Sequence, residues 1–344
     1  MPEDAERPGA GAVSLLDAVV ANMSEEVEVL THGATIDGTT DGYPERMTTS
    51  PFGRVITAMV TPMSPDGAVD TKGVAAVVEH LIATGHDGVV VNGTTGESPT
   101  LSSAESIQMV REVKAAAGDR LAVTAGVGSN NTAHAIEMAA EATEAGADAL
   151  LVVSPYYNKP TQAGLLAHTR AIADAAALPV MLYDIPGRTA TPFAIETLIA
   201  LADHPRILAV KDAKGDLWAA SQVMAATDLL WYCGEDALNL PMLAQGAHGV
   251  VSVVGHVAGR QFSDMIAAVD AGDLAMARKI HHRLIPVINA IMGTSQGAIM
   301  AKAALVELGI IDNATVRLPY VEGPEEHLAI LRAGLNASGI GAAA

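Results

Sequence analysis

Lys211 closes the apolar run Ile207 to Val210 in the stretch RILAVKDAKGD, which places an ammonium at the end of a segment suited to burial. Burial disfavours the charged form of an amine, and the neutral form can attack a carbonyl and condense to a Schiff base. A lysine that simply emerges to solvent, or that pairs with Asp212, is the plainer alternative, although alternation along a strand points Asp212 the other way. Tyr183, in PVMLYDIPGRT, ends a second such run, where a rigidly held phenol can pass a proton to or from a bound substrate. A half-buried tyrosine bonded to backbone would look the same. Arg188, in the Pro-Gly turn that follows, has the planar fork that grips a carboxylate at two points, or else is a solvated loop charge. NGTTGES, Asn92 to Ser98, sets the hydroxyls of Thr94 and Thr95 between glycines that let a ligand approach the backbone closely. The loop leads to a helix near Ser102, whose N-terminus favours an anion, but a turn that merely connects two elements reads alike.

These residues share one property: each stands at or just beyond the end of a short Val, Ile, Leu or Ala run. The runs are RVITAMV, GVVVN, LAVTAG, ALLVVS, PVMLYD, ILAVKD, LLWYCG and GVVSVV. Between them lie stretches of helical period, including 71–84, 104–117, 132–145, 162–176 and 236–245. Alternation of strand and helix demands parallel pairing with right-handed crossovers, and eight units predict a (β/α)8 TIM barrel; an open doubly wound sheet is the alternative. In a barrel the C-terminal strand ends converge on one face, which holds the chemistry. The organisation read from the chain is an acidic, poorly ordered N-terminal extension over 1–50, a barrel over 51–272 and a C-terminal helical region over 273–344. The chain after the eighth run, from about 258 to 335, is expected to be entirely helical, with breaks at Pro286, Gly309 and Pro319.

Composition narrows the function. Half of the 344 residues are hydrophobic but only 3% are aromatic, which suits helices packed on a parallel sheet. The formal charge is −19, with ten acids against Arg7 and Arg46 in the first fifty residues, so no nucleic-acid partner is expected. Within that extension, AVSLLDAVVANMSEEVEVL has the pattern of a short amphipathic helix, the following residues read as a linker, and Met47 offers an alternative initiator. Removing residues 1–46 is therefore expected to leave activity intact. The single cysteine, Cys233, reads as a small buried hydrophobe. No apolar run reaches the length of a membrane span and no signal-peptide pattern opens the chain, so the expectation is a cytoplasmic protein without a membrane partner. GVG at 126–128 lacks the remainder of a dinucleotide fingerprint; the adjacent His281 and His282 cannot face one ion, and no metal is expected.

The motifs AMVTPMSPDGAVD, GTTGESPTLS, SPYYNKPTQAGL, LYDIPGRT, VKDAKGD, GEDALNLP and GAHGVVSV, taken in order, resemble those of the dihydrodipicolinate synthases, within the class I pyruvate-dependent aldolases. The variants LYDIPGR and KDAK are similar to the actinobacterial branch. The resemblance spans 52–340 and implies condensation of pyruvate with L-aspartate 4-semialdehyde through a Schiff base on Lys211, without a cofactor. It further implies a proton relay of Thr94, Tyr183 and Tyr157, the last lent by a neighbouring subunit of a homotetramer built as a dimer of dimers. Thr95 and the main chain at Val251 would hold pyruvate, and Arg188 the carboxylate of the semialdehyde. N-acetylneuraminate lyases and 2-keto-3-deoxy sugar acid aldolases share the lysine but lack an arginine in this turn and commonly carry Ser in place of Thr94. A barrel that binds keto acids without turning them over is the alternative of another class, and intact Lys211, Tyr183 and Thr94 speak against it. Two departures stand out. Asp184 replaces an Asn common in relatives, which would add negative charge near Arg188. The feedback pocket of lysine-inhibited relatives is matched at Ser98, Asn130 and Tyr156 but departs at Ser103, Ser106 and His134, which implies weak feedback.

Overall fold

Runs of Val, Ile, Leu and Ala that are apolar on both faces can only lie in the interior of a sheet, and here they form eight parallel strands. These are β1 (Val55–Ala58), β2 (Gly88–Val91), β3 (Ala122–Gly126), β4 (Ala149–Val153), β5 (Val180–Asp184), β6 (Ile207–Asp212), β7 (Leu230–Cys233) and β8 (Gly249–Ser252). β1 pairs with both β2 and β8, closing the barrel in sequence order. All eight predicted runs are therefore strands, and the open-sheet alternative is excluded. The computed structural model describes residues 50–341. The reading of the N-terminal extension lies outside these residues except for Ser50.

Alternation sorts the strand side chains into two cores. Ile56, Val90, Leu151, Met181, Tyr183, Ala209, Tyr232 and Val251 fill the barrel interior. Their neighbours, such as Val55, Val89, Val123, Leu150, Leu182 and Val210, face the helices. Tyr232 closes the N-terminal end of the interior, donating from its phenol to the Gly53 carbonyl (2.8 Å). Cys233, next along β7, faces outward and is buried, and its thiol is pushed up by that burial.

The connecting helices are α1 (Thr71–Ala83), α2 (Ser103–Ala117), α3 (Thr132–Glu144), α4 (Gln162–Ala175), α5 (Ile195–Ala202), α6 (Leu217–Ala226), α7 (Asn239–Ala244) and α8 (Gly255–Asp270). Most begin where a side-chain oxygen satisfies a free amide: Asp70, Asn131, Thr161 and Asp216 cap α1, α3, α4 and α6, and Ser102 with Glu105 forms a capping box on α2. α8 starts at Val254, which has no capping side chain. Buried Asp236 substitutes from the loop after β7, accepting from the Val253 and Val254 amides (2.9 and 3.0 Å). α8 also approaches the barrel closely at Gly259, where a Cβ would lie 2.1 Å from the His86 ring.

Two expectations for the end of the chain are corrected. α9 (Leu274–Met292) runs through Pro286, which was expected to break it. Proline removes one amide and disturbs the carbonyl a turn earlier, yet the buried face of Leu284, Val287, Ile288 and Ile291 holds the helix together. The Val287 amide donates to the hydroxyl of buried Ser338 (3.1 Å). The second correction is that helix does not continue between α10 (Gly297–Glu307) and α11 (Glu325–Ala337); residues 308–324 are irregular. Gly309, Asn313, Pro319, Gly323 and Pro324 supply that stretch with turn-forming residues throughout.

Candidate active site

Lys211 is the fifth residue of β6, and its parity with Ala209 points it into the barrel interior, where it is only 5% exposed. Across the β5–β6 pairing it is in register with Tyr183, and its Nζ lies 4.2 Å from the centroid of the tyrosine ring. The ring face is thus the surface against which the amine rests. On the other side, after β7, Gly234 comes so close that a Cβ there would stand 3.0 Å from both Cγ and Cε of Lys211. The amine stem is thus confined between a ring and a bare backbone.

The alternative pairing of Lys211 with Asp212 is not realised. Asp212 faces outward, where one oxygen accepts from the amides of Lys214 (2.7 Å) and Gly215 (3.2 Å), and burial raises its carboxyl from the ordinary value. Asp184, its register partner on β5, lies in the same outer layer. Its carboxylate is 3.7 Å from Lys214 Nζ, and burial pushes it up to about 6 against that pull. Asp184 therefore belongs to the strand–helix layer and not to the site lining, so the expected negative charge beside Arg188 is directed elsewhere.

A cavity of about 410 Å³ opens at the C-terminal face. Its wall includes Thr94, Arg188, Ser98, His134, Tyr156 and Tyr320. Val153, the register partner of Tyr183, and Ile185, two residues beyond it, also line it, whereas Lys211 and Tyr183 themselves lie deeper in the barrel interior and outside that lining. Thr94 and Thr95 form a 3-10 turn with Gly96, and Thr95 is buried. The Thr61 hydroxyl fixes that turn by donating to the Gly96 carbonyl (2.8 Å). Arg188 is exposed on the one-turn helix Pro186–Thr189, which Thr189 anchors by accepting from the Ser154 hydroxyl (3.0 Å). Val251 lies buried in β8, in register with Ile56. Tyr157 is the candidate that this chain does not bring to the others: its side chain is 90% exposed.

Five non-glycine residues have positive φ among the described residues: Asn92, Glu97, Tyr157, Lys159 and Ala190. All lie in the loops after β2, β4 and β5, the same loops that carry the candidate residues. Unusual backbone gathered at one face is a property of built sites. Sequence reading missed several contributors there. Gly234 ends the run LLWYCG, but nothing in the sequence marks its close approach to Lys211. Glu97 stood beside Thr95 without an obvious partner, and Lys302 interrupts GAIMAKAALVELG, a helix without a polar face to receive it. Among the described residues no cluster of three or more His, Cys, Asp or Glu side chains could hold a metal ion.

Fold and site thus define a closed α/β barrel with a buried lysine at the end of its sixth strand. Residues 51–338 match the model of the dihydrodipicolinate synthetase family, and the chain belongs to that family. A 4-hydroxy-tetrahydrodipicolinate synthase of Kineococcus radiotolerans is 54% identical over 290 residues, 84% of this chain and 94% of the relative. Among solved structures, the lysine-bound enzyme of Cyanidioschyzon merolae is 43% identical, with a TM-score of 0.82 over 85% of this chain and 99% of its own. The chloride-inhibited dihydrodipicolinate synthase of Acinetobacter baumannii, complexed with pyruvate, is 38% identical, with a TM-score of 0.81 over 85% of this chain and all of its own (100%).

Proposed function

We propose that this chain is a 4-hydroxy-tetrahydrodipicolinate synthase of diaminopimelate and lysine biosynthesis, a lyase of the class I aldolase type. The observation that carries the mechanism is the near-complete burial of Lys211 beside the Tyr183 ring. Lys211 Nζ adds to the ketone carbon of pyruvate, and loss of water leaves an imine. Removal of a methyl proton gives an enamine whose carbon attacks the aldehyde of L-aspartate 4-semialdehyde, whose oxygen takes up a proton. The amine of the second substrate then attacks the imine carbon, closing the ring and releasing Lys211. One water is lost overall, and no cofactor takes part.

Tyr183 and Thr94 relay protons, with Tyr157 completing the relay in the site of a neighbouring subunit. Thr95 receives the pyruvate carboxylate, the Val251 backbone also touches pyruvate, and Arg188 grips the carboxylate of the semialdehyde. Exposed Tyr156 and Tyr157, adjacent and apolar, support assembly through this face, and the assembly we propose is a homotetramer in the cytoplasm. Residues 51–272 form the catalytic unit and 273–344 its helical support. No single helix among the described residues is long and apolar enough to cross a membrane.

Borohydride reduction with pyruvate, followed by peptide mass mapping, should place the reduced adduct on Lys211 and none on a Lys211→Ala variant. An unmodified Lys211 peptide would remove the mechanism. Aspartate semialdehyde should then discharge the imine, whereas turnover with N-acetylmannosamine would favour the sugar-acid aldolase reading.

A further inference from the structure

Lys302 is fully buried in the middle of α10, and its ammonium donates to the carboxylate of Glu97, which is buried with it. The same ammonium donates to the Thr315 carbonyl (2.7 Å), and the second oxygen of Glu97 accepts from the Arg317 amide (3.0 Å). Glu97 is the residue directly after the Thr94–Gly96 turn, and its backbone is left-handed, with φ of 60°. Its amide donates to the Thr94 carbonyl (3.2 Å), and its carbonyl accepts from both the amide and the hydroxyl of Thr100 (2.9 and 3.0 Å). Arg317 adds a second tie, donating from its guanidinium to the Gly67 and Thr100 carbonyls (2.9 and 2.6 Å) and to Glu105.

A buried ion pair contributes little net stability compared with apolar residues of the same volume, because desolvating two charges cancels most of their attraction. Stability alone is therefore a poor account of an ammonium placed in the middle of a helix whose other residues up to Val306 are all apolar. What the pair does achieve is geometric: it holds the carboxylate of a residue in a disfavoured conformation, and thereby the peptides on either side of it. Those peptides belong to the turn that presents Thr94 and Thr95. We propose that the Lys302–Glu97 pair is a positioning device through which the C-terminal helical region sets the Thr94–Thr95 turn against the lysine. Lys302 and Glu97 touch no substrate; they act through the turn. The inference rests on the proposed Schiff-base reading, which gives the turn its purpose.

The test uses the full-length protein, with pyruvate as probe and borohydride trapping as readout, at a temperature where circular dichroism shows each variant folded. Lys302→Met is expected to raise KM for pyruvate and to slow adduct formation about ten- to a hundredfold, the range that misplacing a reacting group by 1 Å produces. Glu97→Gln, which keeps shape and an acceptor but loses the charge, should show the same split to a smaller degree and stands in if Lys302→Met does not fold. The double variant, free of the unpaired buried charge, should recover part of the loss. Folded variants that trap pyruvate at the wild-type rate with unchanged KM, whatever their melting temperature, would overturn the positioning role and reduce the pair to a structural tie. Wild-type protein that never forms the adduct would instead overturn the Schiff-base reading, and the inference with it.

Discussion

At the scale of single residues, the site depends on side chains that are absent as much as on those present. Gly234 leaves 3.0 Å between a hypothetical Cβ and the Lys211 stem, so Gly234→Ala must push the amine off its line beside Tyr183. Shifts of a few tenths of an ångström at a nucleophile are costly, and we expect pyruvate adduct formation to slow by about tenfold with little change in melting temperature. Unchanged single-turnover trapping would refute this. Lysine feedback is also decided by individual residues. Ser98, Ser103, Ser106, His134 and Tyr156 all face the cavity, and none carries a carboxylate to meet an incoming ammonium. Initial rates should stay flat while L-lysine is raised through the micromolar range; micromolar inhibition would show that another group supplies the charge. Lys211, Tyr183, Thr94 and Arg188 could be nominated as candidates because each stands at or just beyond the end of a recognisable run. Gly234 was not, because its constraint is a distance to a residue on another strand.

At the scale of elements, each strand run was legible because a fully buried parallel strand must be apolar on both faces, and helices between them showed the 3.6-residue period. Proline misled at α9, since the compensation comes from Ser338, 51 residues away in sequence from Val287. Replacing Ser338 with Ala leaves the Val287 amide without its acceptor in a dry setting. Denaturant unfolding should register a loss of about 1–3 kcal/mol, the cost of an unsatisfied buried donor. A loss well under that would mean that the Val287 amide finds a helical acceptor despite the proline. The same limit applies to Lys302 and Glu97, separated by 205 positions: a charge within an apolar helix announces that a partner exists, and only the fold says which.

At the scale of the whole molecule, the joint between α1, α8 and β1 is held by three histidines kept neutral. Nε2 of His256 accepts from the Val60 amide (3.0 Å) while its Nδ1 donates to the Val253 carbonyl (2.7 Å), so one tautomer fills both nitrogens. His86 bridges Thr57 and the Leu81 carbonyl (2.7 and 2.9 Å), and His80 donates to the His256 carbonyl (2.8 Å). Burial lowers all three, His86 to about 3 and His256 to about 4. Their ordinary value is 6.5, so the unfolded chain binds more protons than the folded one between those limits. Stability contributed by this cluster is complete above about pH 6.5 and is lost as pH falls towards the folded values. The melting temperature should decline across that window, and His256→Gln should flatten the decline; an identical slope in the variant would exclude the cluster.

The chain's only thiol, Cys233, is sealed behind the barrel wall. A maleimide added to the native protein therefore has nothing to react with, and one cysteine introduced at a surface position such as Trp218, 73% exposed, would be labelled alone. Fluorescent reporters can thus be placed singly on an otherwise unmodified molecule, and labelling of Cys233 itself becomes a direct clock for unfolding of the barrel.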